Sequence, residues 1–266
     1  MFKLGVIGGG VMAEAIVSRL LEKKIYQPQE IIISDPVATR RDFWSRTYGL
    51  EVTESNQGVA QDSVAVLLAI KPQILETVIQ QIGRLDHNPP VLSILAGVTL
   101  ERLETLFPGH PIIRIMPNTP ATVGAGMTAI AGGKNASREH LELTLQLFSA
   151  VGQVVEIPES LMDGVTGLSG SGPAFVALMV EALADGGVGA GLPRPIAQQL
   201  ALQTVLGTAQ LLQESGLHPA QLKDRVTSPG GTTIAGVGQL EKQGFRSAII
   251  EAVLAAYRRS QELGKP

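Results

Sequence analysis

The sequence contains no cysteine and only four histidines, and aromatic residues make up 4% of it. Without cysteine, disulfides, thiolate catalysis and cysteine-ligated metal sites are excluded. The histidines lie far apart, with no spacing typical of metal ligands, so no histidine-built metal site is expected: His87, His110, His140 and His218. Glycine, in contrast, accounts for 30 of the 266 residues, which favours close helix packing and close backbone approach to a ligand.

Neither sign of charge is in large excess, since 21 Lys and Arg against 24 Asp and Glu give a net charge of −3. The basic residues are scattered, which argues against a nucleic-acid partner. No apolar run approaches the roughly 18 residues of a membrane-spanning helix, and the chain opens on a strand pattern instead of a signal peptide. We therefore expect a soluble, cytoplasmic protein that binds a small molecule and neither nucleic acid nor membrane.

The first part of the chain alternates strand-like and helix-like patterns, which is typical of a parallel sheet with crossover helices. After Pro158 only helical periodicity remains, broken by glycine and proline. The fold class is therefore α/β: a Rossmann-type, mostly parallel sheet domain over 1–160, followed by an all-helical domain over 161–266. The predicted strands are Lys3–Ile7, Glu30–Ser34, Val64–Ile70, Val91–Leu95, Pro111–Met116, Gly126–Ala131 and Gln153–Ile157.

Two predicted helices of the second domain are apolar over most of their circumference: "PAFVALMVEALADGGVGAGL" and "PIAQQLALQTVLGTAQLLQES". A helix of this kind must be covered by other protein. About a hundred residues of helices are too few to cover several such members. The region between Pro173 and Ser215 is therefore predicted to form a homodimer interface.

The opening "KLGVIGGGVMAEAI" is a strand that runs into Gly8-x-Gly10-x-x-Ala13 and then into a helix. Gly8 suits the tight turn, Gly10 allows the backbone to approach a pyrophosphate, and Ala13 allows the helix to pack on the strand. The N–H groups of Gly10, Val11 and Met12 would bind the pyrophosphate. This arrangement predicts a dinucleotide site.

The end of the second strand, "IIISDPVATRR", bears on the choice of dinucleotide. Ser34 occupies the position where an acidic residue normally holds the ribose hydroxyls of NAD, and Arg40 and Arg41 follow on the next helix. A hydroxyl with nearby guanidinium groups suits a 2′-phosphate and favours NADPH, with NADH as a weaker alternative. Asp35 could instead point back and favour NAD, and the arginines could lie on a solvated helix face.

Two further strand ends, "AIKP" (Ala69–Pro72) and "LAGV" (Leu95–Val98), lie where open α/β sheets bind ligands. Pro72 ends its strand, and Lys71 is either a cofactor contact or a lysine that faces solvent. The small residues of "LAGV" would allow a nicotinamide ring to lie close to the backbone.

The stretch "DRVTSPGGTTIAGVGQLE" (Asp224–Glu241) places two glycines and four hydroxyl side chains before an apolar helix. One interpretation is that Thr232 or Thr233 is only the helix N-cap. The other is an anion site, because the glycines let backbone N–H groups approach a ligand and the helix N-terminus carries partial positive charge.

Together these motifs resemble the pyrroline-5-carboxylate reductase family, over essentially the whole length of the chain. The resemblance rests on "GVIGGGVMAEAI", "AIKP", "RIMPNTP", "GLSGSGPAF", "ADGGVGAGLPR", "HPAQLKDRVTSPGGTTIAGVGQLE" and the final "GFRSAIIEAV". It implies an NADPH-dependent reduction of the cyclic imine of 1-pyrroline-5-carboxylate to L-proline. It also implies a Rossmann domain, a helical dimerisation domain, and a substrate pocket where the second chain's helical domain meets the nicotinamide.

The resemblance assigns residues to both ends of the site. The expected cofactor contacts are Gly8, Gly10, Val11, Met12, Ser34, Asn56, Ala69, Lys71, Pro72, Leu95 and Ala96. The expected substrate-binding residues are Gly230, Gly231, Thr232 and Thr233, with Thr233 and Ser228 as the catalytic hydroxyls. Thr233 would bond the ring nitrogen while backbone N–H groups hold the carboxylate. The expected assembly is a homodimer, or a larger homo-oligomer such as a decamer.

Two rival functions remain open from the residues alone. A different imine reductase or a β-hydroxyacid dehydrogenase would normally carry a catalytic lysine on a helix of the second domain, where this chain has Lys223, Lys242 and Lys265. An NADPH-sensing module without catalysis would not need the hydroxyl-rich substrate loop. Turnover of NADPH with pyrroline-5-carboxylate would separate all three.

Overall fold

The structure, a computed structural model, describes residues 1–264. Lys265 and residue 266, the end of the predicted helical domain, lie outside the described residues. The chain forms two compact units. The first comprises Met1–Gly170 together with the chain from Ala256 onward, and the second is Ser171–Ala255.

One eight-stranded sheet, in the order β3-β2-β1-β4-β5-β6-β7-β8, forms the centre of the first unit. All strand pairs are parallel except β6 with β7. The predicted mostly parallel Rossmann-type sheet is therefore confirmed. The strands are β1 Phe2–Ile7, β2 Ile31–Ser34, β3 Glu51–Thr53, β4 Ser63–Leu68, β5 Val91–Ser93, β6 Ile112–Met116, β7 Gly126–Gly132 and β8 Gly152–Glu156.

The sheet separates two hydrophobic clusters, because successive side chains of a strand point to opposite faces. Ile31 and Ile33 pack in one cluster with Trp44, whereas Ile32 packs in the other with Leu68. Helices cover both faces, which explains why the strands are almost continuously apolar. The helices of this unit are α1 Val11–Glu22, α2 Ala38–Tyr48, α3 Asn56–Gln61, α4 Leu75–Ile82, α5 Leu100–Leu106, α6 Arg138–Phe148 and α7 Met162–Val165.

The division between the units falls ten residues later than the division at 160/161 expected from the sequence. Met162 of α7 is 1% exposed and belongs to the hydrophobic cluster below the sheet. A π-helical turn, Thr166–Gly170, completes this stretch. The hydroxyl of Ser260 donates to Oδ1 of Asp163 at 2.7 Å, so the end of the last helix also belongs to the first unit.

The second unit contains only helices: α8 Gly172–Gly189, α9 Arg194–Ser215, α10 Pro219–Arg225, α11 Thr232–Lys242 and the first part of α12 Phe245–Leu263. Its buried apolar side chains are small, namely Ala184, Ala197 and Ala201. Many large ones are exposed, including Leu178 at 66% and Leu202 at 60%. This unit therefore presents much more apolar surface than it buries.

One helical stretch, Glu159–Gly189, is long and apolar enough to cross a membrane by length and composition, although little of it is buried. The absence of a membrane-length apolar run expected from the sequence is therefore corrected for this stretch, in which glycine and hydroxyl residues interrupt the apolar positions. A single such helix is weak evidence for a membrane span, since the uncovered face of an oligomerisation helix has the same composition.

Candidate functional site

The glycine turn after β1 forms the centre of the cofactor end. Gly8 has a φ of +97°, and its N–H donates to the carbonyl of Ser34 at 2.8 Å. A Cβ at Gly8 would lie 2.7 Å from the carbonyl oxygen of Ala69. Only glycine therefore fits where the ends of β1, β2 and β4 meet.

The first turn of α1 faces open space. Gly10 is the N-cap of this helix, and a Cβ placed on it would meet nothing within 4 Å. Val11 is 75% exposed. The first N–H groups of a helix have no intrahelical partner, and they carry the positive end of the helix dipole. The residues thus fit the pyrophosphate of a dinucleotide, as expected from the glycine pattern.

The middle glycine of the turn, Gly9, is held by Asp35 and Arg40, for which the sequence suggested a role at the ribose, and by Trp44, which the sequence pattern did not identify. Its N–H donates to Oδ2 of Asp35 at 2.9 Å. Its carbonyl accepts from Nε1 of Trp44 at 3.1 Å and from Nε of Arg40 at 2.8 Å. Beside Trp44, burial raises the pKa of the Tyr48 hydroxyl above its ordinary value.

Asp35, Arg40 and Arg41 are therefore already engaged with neighbouring groups. Asp35 accepts from the backbone N–H groups of Gly9 and Val37. Arg40 also pairs with Glu14 at 3.1 Å. Arg41 donates to the carbonyl of Asp35 and pairs with Glu54. In this structure neither guanidinium lies on a freely solvated helix face, and each has a partner other than a phosphate.

Ser34 and Asn56 lie together at the end of β2. The Ser34 hydroxyl donates to Oδ1 of Asn56 at 2.6 Å, and Nδ2 of Asn56 donates to Gln81 at 2.6 Å. Ser55 caps α3 by accepting from the N–H of Gly58, which fixes Asn56 in the first turn of that helix. Two of the expected cofactor residues are thus brought into contact, although 22 positions separate them.

The remaining expected cofactor residues follow β4 and β5. Ala69 is half-buried and its N–H donates to the carbonyl of Ile7 at 2.9 Å. Lys71 is exposed at the start of a short 3₁₀ turn, Pro72–Ile74. The side chain of Leu95 is buried whereas Ala96 is exposed. Because β1, β2, β4 and β5 are neighbours in the sheet, these residues share its carboxyl edge with the glycine turn.

The hydroxyl-rich stretch lies in the second unit, at the start of α11. Gly231 is the N-cap of this helix, and Thr232 and Thr233 are its first two residues, so the N-cap interpretation of either threonine is wrong. Within the described part of the chain, no hydrogen bond involves the Thr233 hydroxyl. Thr227 differs, since its hydroxyl donates to the carbonyl of Lys223 at 2.6 Å and completes the end of α10.

The loop before α11 brings an exposed hydroxyl next to the free N–H groups of the helix. Gly230 has a φ of +67°, and the N–H of Gly231 donates to the carbonyl of Ser228 at 3.1 Å. A Cβ at Gly231 would collide with the Ser228 hydroxyl. The N–H groups of the first turn, from Thr232 onward, have no intrahelical partner. This arrangement suits a carboxylate with a hydroxyl donor beside it.

Family models match both parts of the chain. Residues 159–263 match the model described as "Pyrroline-5-carboxylate reductase dimerisation". Residues 3–97 match the one described as "NADP oxidoreductase coenzyme F420-dependent". The expected cofactor residues, Gly8 to Ala96, lie within the second range, and the hydroxyl-rich loop lies within the first.

Full-length relatives give the same result. The chain is 64% identical to a pyrroline-5-carboxylate reductase of Synechocystis, over 99% of this chain and 98% of that one. It is 45% identical to that of Methanosarcina acetivorans, over 99% and 98% of the two chains. Among solved structures it is similar to the Coxiella burnetii enzyme, with a TM-score of 0.92, 33% identity and coverage of 100% and 99%. The Plasmodium falciparum enzyme with NADP bound has a TM-score of 0.89, 32% identity and coverage of 99% and 98%.

Proposed function

This chain belongs to the pyrroline-5-carboxylate reductase family, and from this premise we propose which of its residues carry the reaction. The enzyme is an NADPH-dependent oxidoreductase of proline biosynthesis. It reduces the cyclic imine of 1-pyrroline-5-carboxylate to L-proline. It forms a homo-oligomer through the region that matches the dimerisation model.

We assign the cofactor to the carboxyl edge of the sheet. The N–H groups of Gly10, Val11 and Met12 bind the pyrophosphate, which the open first turn of α1 supports. Ser34 and Asn56 form the adenosine end, and Ala69, Lys71 and Pro72 follow along the edge. The backbone of Leu95 and Ala96 lies against the nicotinamide.

We assign the substrate to the loop before α11. The carboxylate binds the free N–H groups of Gly230, Thr232 and Thr233, with the Ser228 hydroxyl beside them. Gly231, whose own N–H donates to the carbonyl of Ser228, shapes the turn that presents these groups. The Thr233 hydroxyl bonds the ring nitrogen and keeps the imine protonated or hydrogen-bonded, which makes its carbon electrophilic. Bound NADPH supplies the hydride, so the side chains need only orient and polarise the imine. The free first turn of α11 is the observation that carries this assignment.

The domains divide the work in the same way. We assign residues 1–160 to the cofactor and residues 161–266 to dimerisation and substrate, a division that the match of 159–263 to the dimerisation model supports, although the compact units divide after Gly170. The assembly is a homodimer, or a larger homo-oligomer such as a decamer, and the enzyme is soluble and cytoplasmic. The exposed apolar side chains of α8 and α9 support this interface.

The substrate loop of one chain serves the nicotinamide of its partner. Mixed dimers test this arrangement. Gly10→Val should block the pyrophosphate site without disturbing the fold, because a side chain there meets open space. Thr233→Val should disable the substrate loop. If each site uses two chains, one site of every mixed dimer contains both intact parts, and random mixing restores about a quarter of the unaltered activity. No recovery would assign both parts of each site to one chain.

The reaction itself is tested by NADPH oxidation, followed by absorbance. Pyrroline-5-carboxylate is the substrate, and a reaction without substrate is the blank. A series of 3-hydroxy acids with NADP⁺ tests the reverse chemistry of the rival β-hydroxyacid dehydrogenase class. Turnover with the imine alone supports the proposed reaction. Turnover with a hydroxy acid in its place, or binding without turnover, would support one of the rivals.

A further inference from the structure

Arg114 is a buried arginine within the apolar strand β6. Its side chain is 8% exposed, and its Nη1 donates to Oε1 of Glu159 at 2.9 Å. The same carboxylate oxygen accepts from the N–H of Leu100 at 2.6 Å. One oxygen of Glu159 therefore joins an arginine of β6 to the first residue of α5.

Both ends of the loop between β5 and α5 are connected to this pair. Ser93, the last residue of β5, is the register neighbour of Arg114 in the sheet, and its hydroxyl accepts from the N–H of Leu95. At the other end, Glu159 binds the N–H of Leu100. Between them the loop turns through Gly97, which has a φ of +76°. The loop is thus held at its entry beside Arg114 and at its exit by Glu159.

We propose that Arg114, acting through Glu159, is a positioning residue that fixes the loop carrying Leu95 and Ala96 against the nicotinamide. This inference rests on the proposed function, since it uses the assignment of these two residues to the ring. Glu159 alone could accept from Leu100 in several rotamers. The guanidinium restricts its carboxylate to one of them, because a buried charge without its partner is unfavourable.

Stability is a poorer explanation of this pair. Apolar residues of similar volume often serve a fold as well as a buried ion pair does. The pair lies between the end of a strand and the loop that would contact the nicotinamide ring. At this position it can fix the loop and so orient the ring for hydride transfer. A displacement of the ring by about 1 Å can cost on the order of 10²-fold in rate.

The test compares Arg114→Met with a second arginine–glutamate pair, between α6 and β8. Arg138 and Glu156 also lie 2.9 Å apart, but they are exposed, and β8 is three strands away from β5 in the sheet, so Arg138→Met is the control. We expect Arg114→Met to lower kcat on the order of tenfold. The inhibition constant of adenosine 2′,5′-bisphosphate should not change, because this probe lacks the nicotinamide. Arg138→Met should alter neither quantity.

Two conservative variants keep the inference testable if Arg114→Met folds poorly. Glu159→Gln retains the oxygen that accepts from Leu100 and loses only the charge that holds Arg114, so kcat should fall less than in Arg114→Met. Arg114→Lys should recover part of the lost kcat. A lysine variant as slow as the methionine variant would overturn the role of the charge.

The inference is wrong if a folded Arg114→Met variant keeps its kcat, or if kcat and the affinity for the bisphosphate fall in the same proportion. If the unaltered protein fails to reduce the imine, the proposed function is wrong. The inference about Arg114 can still be tested in that case, because the emission of bound NADPH reports the surroundings of the nicotinamide without turnover. It should change in Arg114→Met and not in Arg138→Met, and an unchanged emission would overturn the positioning role.

Discussion

Ser34 donates its hydroxyl hydrogen to Oδ1 of Asn56 across 2.6 Å, which joins the end of β2 to the first turn of α3. Ser34 is 1% exposed, and Asn56 is fixed in turn by Gln81. A carboxylate in place of this hydroxyl would face the amide oxygen of Asn56 and add negative charge where the 2′-phosphate is expected.

Ser34→Asp should therefore erode the preference for NADPH over NADH. We expect the ratio of the two kcat/KM values to fall on the order of tenfold, which corresponds to about 1.4 kcal/mol of repulsion at a partly screened site. Steady-state kinetics with both cofactors measures the ratio. Ser45→Asp adds the same charge at an exposed position of α2 and should leave it unchanged. Equal kcat/KM values in the unaltered enzyme would contradict the assignment of Ser34.

Arg40→Met should weaken NADPH and NADH binding by similar factors. In the structure its guanidinium holds the Gly9 carbonyl and Glu14, so its loss should disturb the glycine turn that both cofactors share. One hydrogen bond of this kind is worth about 1 kcal/mol, or roughly fivefold in Kd. The single tryptophan, Trp44, lies against Gly9 and offers a fluorescence signal for the titration. Loss of NADPH affinity alone would instead place Arg40 on the 2′-phosphate.

Thr233→Val should lower kcat/KM for pyrroline-5-carboxylate on the order of 10²-fold, the usual effect of removing one positioned donor. NADPH affinity should stay the same, because the threonine lies outside the cofactor end. The melting temperature should also be nearly unchanged, since Gly231 and not Thr233 is the N-cap of α11. A valine variant with unaltered kinetics would remove Thr233 from the catalytic assignment.

Gly231→Ala should impair the substrate loop through Ser228. The new methyl group would collide with the Ser228 hydroxyl and displace it. We expect KM for the imine to rise about tenfold, the effect of losing a charge-assisted hydrogen bond of roughly 1.5 kcal/mol. Ser228→Ala removes the hydroxyl with which the new methyl group collides. It should therefore raise KM much less in the Gly231→Ala variant than in the unaltered enzyme. Gly238→Ala, at a position of the same helix where a Cβ meets nothing in this chain, is the control. Strictly additive effects would argue against the collision.

Leu202→Glu should dissociate the oligomer. This leucine is 60% exposed on α9, where the interface is proposed, and a buried carboxylate without a partner is unfavourable. Light scattering at micromolar concentration should show a smaller species, and activity should fall with it if each site uses two chains. Gln80→Glu adds the same charge at an exposed position of α4, outside the proposed interface, and should remain assembled. A stable, fully active monomer of the unaltered enzyme would contradict the proposal.

The longer elements were predictable from the sequence because their hydrophobic periodicity is local. The predicted strands Lys3–Ile7 and Gly126–Ala131 each differ by one residue from β1 and β7. The three-residue β3 was missed because so short a run shows no periodicity. The antiparallel pairing of β6 with β7 was also missed. Strand direction depends on the connection between strands, and a short one without a crossover helix permits only the antiparallel pairing.

The sequence by itself determined the backbone turns at the two expected ligand sites, because Gly10, Gly230 and the hydroxyls around Gly231 act through their immediate neighbours. Gly8 differs, because the backbone of Ala69, just after β4, excludes a side chain there. Tertiary structure alone decided the partners of the charged side chains. Asp35 and Arg40 hold Gly9, and Arg114 reaches Glu159, 45 positions away. Such pairs depend on which strands lie side by side and which side chains are buried there, and neither is encoded in the spacing of residues along the chain.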